Sequence, residues 1–290
     1  MSVIFNFNFN SSKQIRQNID RGLFLKGTND SAVILAHGMT GSPQEMKFFA
    51  EFLNEKGYSV LCPRLANHGQ PIGLLKRTKW QEFYHSIRSA FQEASREHKS
   101  IFAAGLSLGA LLVLLLADEF GDKVSAVSCL SPTLFYDGWN VPWTKHLLPL
   151  VFATSLKNVM YFKEERPYGI KNEKIQQLVH RYYSKAGLND AEQVGRFGYP
   201  YFPVTLFHQL HLCVKHLSKR LPCIYNPVQL IQARNDDITS IKNSQFIYDR
   251  IKSHRKELVL LDNSYHVITA DQEREKVAQS AADFFNKFVF

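Results

Sequence analysis

Residues 100–120 read SIFAAGLSLGALLVLLLADEF. Ser100 to Ala104 is a short apolar run of the kind that forms a buried strand, and residues 108–120 form an apolar run of helical length. Between them lies Gly105-Leu106-Ser107-Leu108-Gly109. A G-x-S-x-G segment joining a strand to a helix makes a tight turn whose flanking positions leave no room for a bulky Cβ. Glycine also accepts the dihedrals that such a turn imposes. The turn pushes the serine hydroxyl out at the carboxyl end of a sheet, where open α/β folds bind ligands. The helix N-terminus beneath it favours developing negative charge. Ser107 is therefore the candidate nucleophile.

The same strand–helix rhythm extends outward from this turn. Residues 32–36 (AVILA) form a fully apolar run expected of a central strand, and the loop His37-Gly38-Met39-Thr40-Gly41-Ser42 follows it. A helix is expected from Pro43, with Ser42 as N-cap and Gly57 as its stop. Further strands are expected at 58–61, 123–130, 228–233 and 257–261, and helices at 78–98, 240–252 and about 271–287. Such alternation implies βαβ units, an α/β fold with a mostly parallel central sheet flanked by helices. Residues 3–9 (VIFNFNF) alternate with period two and read as a half-buried strand. The rhythm stops after Pro132 and resumes near Cys223. The intervening stretch carries too many large apolar residues to stay solvated. It reads as a large, mainly helical insertion over 134–222, with helices at 171–186 and 204–220, set into a core of residues 1–133 and 223–290.

Composition is that of an ordinary globular protein. The chain has 290 residues, 45% hydrophobic and 21% charged, enough to bury a sizeable core without staples. The balance of 35 basic against 26 acidic residues gives +9, yet no run of five or six like charges occurs. A basic surface without a nucleic-acid motif argues against nucleic acid as a partner and is compatible with transient contact with a membrane surface. Cys62, Cys129, Cys213 and Cys223 form no C-x-x-C pair and no zinc spacing, so no metal is expected. Cys62 and Cys129 read as buried thiols, and a Cys213–Cys223 disulfide would require an oxidising compartment. The N-terminal residues lack a secretory pattern, and the longest apolar run, Ala110 to Ala117, is too short to span a bilayer. A cytoplasmic location is the expectation.

A serine nucleophile needs a base, an orienting acid and donors for the oxyanion. His266, in Asn263-Ser264-Tyr265-His266-Val267, is the one histidine that follows the last expected strand. Asp236 and Asp237 both follow strand 228–233, and either carboxylate can orient an imidazole. The unused one would be a solvated loop residue or an anion at a helix N-terminus. Ser107, Asp236 and His266 lie in the Ser…Asp…His chain order expected of a nucleophile turn of this kind. Such turns draw one oxyanion donor from the residue after the nucleophile and another from the loop after an earlier strand, which selects the backbone N–H groups of Leu108 and Met39. His37 reads as a loop histidine bonded to backbone. His208, His211 and His216 fall at no metal spacing and read as helix-surface residues.

At AVILAHGMTGSPQEM, YSVLCPRLANHG, GLSLG, QARNDDI and KELVLLDNSYHVITADQE the chain resembles the bacterial carboxylesterase and monoacylglycerol lipase branch of the α/β-hydrolases, the serine aminopeptidase S33-like hydrolases. The resemblance covers about residues 30–133 and 223–288. It implies an α/β-hydrolase fold with a cap inserted late in the chain, which fits residues 134–222. It also implies that the acid is the first aspartate of an A-R-x-D-type segment, Asp236 rather than Asp237. The chain departs from the family at Ala110 and Tyr265, where glycines are common, and in an insertion longer than a compact esterase cap.

The expectation is a serine hydrolase cleaving carboxylic esters through an acyl-enzyme, without a cofactor. The expected substrate is a short- to medium-chain ester, a monoacylglycerol or a lysophospholipid enclosed by the cap. Thioester hydrolysis, amide hydrolysis and acyl transfer would use the same residues. A lipid- or partner-binding module on a silent scaffold is the alternative from another class.

Overall fold

The computed structural model describes residues 22–185 and 198–289. The strand expected at residues 3–9 lies outside the described residues. The strands are β1 (Gly22–Leu25), β2 (Ser31–Ala36), β3 (Ser59–Pro63), β4 (Ser100–Leu106), β5 (Ala126–Leu130), β6 (Tyr161–Lys163), β7 (Tyr201–Pro203), β8 (Val228–Ala233) and β9 (Lys256–Leu261). Seven of these form one sheet in the order β1-β3-β2-β4-β5-β8-β9. Only β1 is antiparallel to its neighbour; the other pairings are parallel. Every residue of β2, β3, β4, β5 and β8 is buried, which is why their sequences are largely apolar and do not alternate; the exceptions in β8, Gln229 and Gln232, have hydrogen-bonded amides.

The helices are α1 (Lys47–Glu55), α2 (Ile72–Leu75), α3 (Trp80–Ala94), α4 (Leu108–Phe120), α5 (Leu148–Phe152), α6 (Glu173–Lys185), α7 (Val204–Arg220), α8 (Lys242–Arg250) and α9 (Arg274–Asn286). Residues of β2 divide between two cores: Ala32, Ile34 and Ala36 face α3 and α4, whereas Val33 and Leu35 face α1 and α9. In α3 the buried positions Trp80, Phe83, Ile87, Ala90, Phe91 and Ala94 recur at helical spacing and form one stripe. In α4 every residue from Leu108 to Ala117 is buried, so this helix is apolar all round. On the opposite face Phe102 stacks on Phe285 with ring centroids 4.8 Å apart. Burying a side chain of that size contributes about 1.5–3 kcal/mol.

Between β5 and β8 the chain leaves the sheet. Helices α6 and α7 occupy the stretches read as helical from their periodicity. The segment also contains an antiparallel ribbon, β6 with β7, that the sequence reading did not anticipate. Three-residue strands are too short to display a period of two. Leu206, Leu210, Cys213 and Leu217 of α7 join the core on the α3–α4 side. All four cysteines are free; Cys62, Cys129 and Cys213 are buried and Cys223 is exposed. No helix among the described residues is long and apolar enough to cross a membrane.

Candidate active site

The turn after β4 has the geometry its composition demands. Ser107 adopts φ 58° and ψ −117°, a left-handed backbone held between β4 and α4. Strain of this kind persists only where surrounding structure enforces it. A Cβ at Gly105 would lie 2.2 Å from the carbonyl oxygen of Gly109, and one at Gly109 would lie 2.2 Å from that of Ala36. Neither distance is sterically allowed, so both glycines are required by close approach. Ser107 N–H donates to Leu130 O at 2.9 Å and fixes the turn to the end of β5. Leu108 opens α4, so its N–H precedes the helical ladder and is free to point at a ligand.

The loop after β2 lies against this turn: a Cβ built on Gly38 would be 3.6 Å from Ser107 Cβ. Leu65 N–H donates to His37 Nε2 at 3.1 Å, which leaves Nδ1 as the protonated nitrogen facing Gly38 O at 2.9 Å. His37 is thus a backbone-bonded loop histidine, as its sequence context suggested. His68 Nε2 lies 2.8 Å from Met39 O, a pure acceptor, so His68 carries its proton on Nε2. Burial pulls both imidazoles below their ordinary range, His68 to about 4, and keeps them neutral. Their rings meet edge to face at 4.9 Å. Thr40 O accepts from Tyr199 N–H at 3.0 Å. With both carbonyls turned outward, Met39 N–H bonds to no acceptor among the described residues.

His266 follows β9 and is buried. Its Nδ1 lies 2.9 Å from Asp236 Oδ2 and 3.1 Å from Oδ1. The carboxylate is itself fixed by the N–H groups of Ile238 and Thr239, each at 2.8 Å, and by Gln232 Nε2 at 2.9 Å. Burial of His266 opposes its charged form, but the charge of Asp236 and the hydrogen bond donated to it more than offset this, and its pKa is raised. In the neutral ring the Asp236 carboxylate, a pure acceptor, fixes the proton on Nδ1 and leaves the lone pair on Nε2. That lone pair faces Thr133 Oγ1 at 3.5 Å, and Thr133 Oγ1 lies 2.9 Å from Ser107 Oγ. Ser107, His266 and Asp236 thus converge at the carboxyl ends of β4, β9 and β8, with Thr133 between the first two.

Asp237 is neither of the two things expected of the second aspartate, a solvated loop residue or an anion at a helix N-terminus. Its side chain is buried, where Oδ2 accepts from Gly169 N–H at 3.2 Å and Oδ1 from His266 N–H at 3.3 Å. Burial pushes its carboxyl up to about 6. The loop is short, and two adjacent carboxylates cannot both point outward while one orients His266.

Two further carboxyls border the site. Glu45 accepts from Gly38 N–H, and Glu164, just past β6, accepts from Thr40 Oγ1 at 3.2 Å. Burial pushes each up to about 7. The sequence reading assigned no role to Glu45, Glu164, His68 or Thr133. His68 belongs to the ANHG segment and Thr133 lies three residues past the strand expected at 123–130, but only spatial proximity distinguishes them from loop residues. No three His, Cys, Asp or Glu side chains among the described residues are grouped to hold a metal ion.

A sequence profile of the Hydrolase_4 family, described as serine aminopeptidase, S33, matches residues 27–273. The chain belongs to that family. It is 27% identical over 263 residues to a carboxylesterase of Bacillus subtilis (strain 168), covering 89% of this chain and 93% of the relative. It is 26% identical over 257 residues to a thermostable monoacylglycerol lipase of Bacillus sp. (strain H-257), covering 88% and 90%. A solved structure from work on the metagenome-derived lipolytic enzymes LipS and LipT superposes with a TM-score of 0.75 at 26% identity, over 91% of this chain and 96% of that one. The monoacylglycerol lipase of Paleococcus ferrophilus shares the fold, with a TM-score of 0.73 at 19% identity over 92% and 98%. The Hydrolase_4 chain described here is therefore an α/β-hydrolase of the esterase and lipase type.

Proposed function

We propose that the chain hydrolyses carboxylic esters with Ser107 as nucleophile, His266 as general base and Asp236 as the acid that orients it. The observation that carries this reading is the Asp236–His266 pair, which turns Nε2 toward Thr133 Oγ1, the hydrogen-bond partner of the Ser107 hydroxyl. In the acylation step Ser107 Oγ bonds to the ester carbonyl carbon while its proton passes to Nε2. The backbone N–H groups of Met39 and Leu108 hold the oxyanion. Collapse of the tetrahedral intermediate breaks the ester C–O bond, and the leaving alcohol takes the proton from His266. Water, deprotonated by the same Nε2, then releases the acid and restores Ser107.

Residues 134–222 serve in this reading as the cap over the site, and the substrate is a short- to medium-chain ester, a monoacylglycerol or a lysophospholipid. The names of the two Bacillus relatives support the first two of these classes. A fluorophosphonate probe and a series of p-nitrophenyl esters of graded chain length test the proposal. Wild type labels and turns over; Ser107→Ala loses labelling, and Ser107→Ala and His266→Ala each lose on the order of a thousandfold or more in kcat. A folded wild type that neither labels nor hydrolyses any ester overturns it in favour of a binding module.

A further inference from the structure

Thr133 stands between the nucleophile and the base, and nothing in the reaction as written requires it. The side chain is buried. The distance from Ser107 Oγ to Thr133 Oγ1, 2.9 Å, is ordinary for two hydroxyls, whereas the 3.5 Å from Thr133 Oγ1 to His266 Nε2 is at the limit of a hydrogen bond. Among the described residues the Ser107 hydroxyl has no other hydrogen-bond partner. The Thr133 hydroxyl donates to Ser131 O at 3.4 Å, which leaves Ser107 as the donor in the bond between the two hydroxyls, so the proton that must pass to His266 is engaged elsewhere.

The placement of Thr133 is built into the fold. Ser131 N–H donates to Ile231 O at 2.8 Å, and the N–H groups of Leu134 and Phe135 both donate to Asn243 Oδ1, at 2.8 and 2.7 Å. Ser131 takes φ 43°, a left-handed conformation unusual for serine, and Pro132 fixes the next φ. Ser107 is equally constrained, through its N–H to Leu130 O at 2.9 Å and its carbonyl to Ala110 N–H at 3.1 Å. With both backbones held, the one freedom left to the nucleophile is rotation about χ1, which moves its oxygen between staggered positions.

The geometry points to Thr133 as a positioning residue that parks the Ser107 hydroxyl away from the base, so that attack begins with the serine turning from Thr133 to His266 Nε2. This inference rests on the serine-hydrolase reading above. Thr133 neither gains nor loses a proton: the bond formed is Ser107 Oγ to the carbonyl carbon, and the proton goes to Nε2. Thr133 and His266 compete for one O–H, and removing the competitor favours the reactive rotamer.

The test compares Thr133→Val, Thr133→Ala and Thr133→Ser in the full chain, with thermal unfolding as the check on folding. The readouts are the rate of labelling by a fluorophosphonate and kcat/KM for p-nitrophenyl butyrate. Losing one hydroxyl partner corresponds to a rise of about threefold to tenfold in both rates for the valine variant, with the alanine variant moving the same way. Thr133→Ser keeps the hydroxyl and the wild-type rates, and the pH limbs of kcat/KM stay in place because no titratable group has changed. A fall in the valine and alanine variants, with serine normal, overturns the inference and makes the threonine hydroxyl a relay for the proton. Unchanged rates overturn it and make Thr133 a bystander. Should wild type and all variants fail to label, the serine-hydrolase reading itself fails and takes this inference with it.

Discussion

The central sheet and the segment threaded between β5 and β8 are held by different kinds of contact. The sheet relies on side chains: β2, β4, β5 and β8 are buried along their whole length. The segment leaves apolar side chains in solvent, with Trp143 74% and Leu150 69% exposed. Besides α7 and a few side chains that reach the core, among them Leu134, Tyr199 and Phe202, it is tied to the rest of the chain by polar bonds that end on the loops of the site. Tyr199 Oη donates to Gln70 O at 2.6 Å, Thr40 Oγ1 donates to Glu164, and Val267 N–H donates to Gly169 O at 2.7 Å. The N–H of Lys171 donates to Asp271 at 2.7 Å, and Asp271 in turn accepts from Tyr265 N–H at 2.8 Å, next to His266. Changes in the sheet should therefore be felt as lost stability, and changes where the segment meets the loops as altered kinetics.

The largest effect expected in this comparison is at the two adjacent aspartates, one serving each region. Asp236 faces His266 Nδ1, whereas Asp237 joins Gly169 of the segment to the backbone of His266. Asp236→Asn offers an amide N–H2 or a poorer acceptor to Nδ1 and lets the imidazole take the wrong tautomer. A loss on the order of a thousandfold or more in kcat is expected on a p-nitrophenyl ester. Asp237→Asn keeps one carbonyl acceptor for two N–H donors, so about tenfold is expected, the scale of one weakened hydrogen bond. Equal losses in the two variants break the assignment of roles.

The same contrast governs what the sequence could disclose. The central strands are covered on both faces, so a run such as AVILA is apolar throughout and announces itself, and VQLIQA departs from this only at Gln229 and Gln232, both buried and hydrogen-bonded. The turn at Ser107 is legible because two glycines are forced by close approach at fixed offsets from it. His266 and Asp236 could be picked out because each follows a strand of that rhythm. Thr133, His68, Glu45 and Glu164 could not, because what brings them to the site is pairing across large sequence separations. Asp237 was misjudged for the same reason: its burial depends on Gly169, which no periodicity places beside it. The ribbon of β6 and β7 escapes a sequence reading because its strands are held by each other, Phe162 opposite Phe202 40 residues on, and not by any local pattern.

A smaller effect is expected from Glu45, which joins the turn leading into α1 to the loop after β2. Its carboxyl faces His266, Glu164, Tyr183 and Cys62, and burial raises it from 4.5 to about 7. A carboxyl whose folded pKa is raised contributes stability below its unfolded pKa, and that contribution is lost as pH rises through the folded value. His37 and His68, with lowered pKa values, act in the opposite direction, so wild type alone does not isolate the term. The difference between Glu45→Gln and wild type does, because the histidines cancel. Glutamine still accepts from Gly38 N–H but carries no charge. The Tm of the variant relative to wild type should therefore rise between pH 4.5 and pH 8. A flat difference across that range would show that Glu45 is not buried against the site as described.

The smallest effect marks the opposite pole of the comparison. Leu114 of α4 is fully buried, whereas Leu150 of α5 is 69% exposed on the segment. Truncating Leu114 to alanine removes packed atoms and leaves a cavity, a loss of about 2–5 kcal/mol. Leu150→Ser removes little surface from contact, so its effect on stability should stay within about 0.5 kcal/mol by chemical denaturation. If Leu150→Ser instead destabilised the chain as much as a core truncation, the exposed strip of the segment would have to be covered in solution. The division between a sheet held by burial and a segment held by polar ties would then be lost.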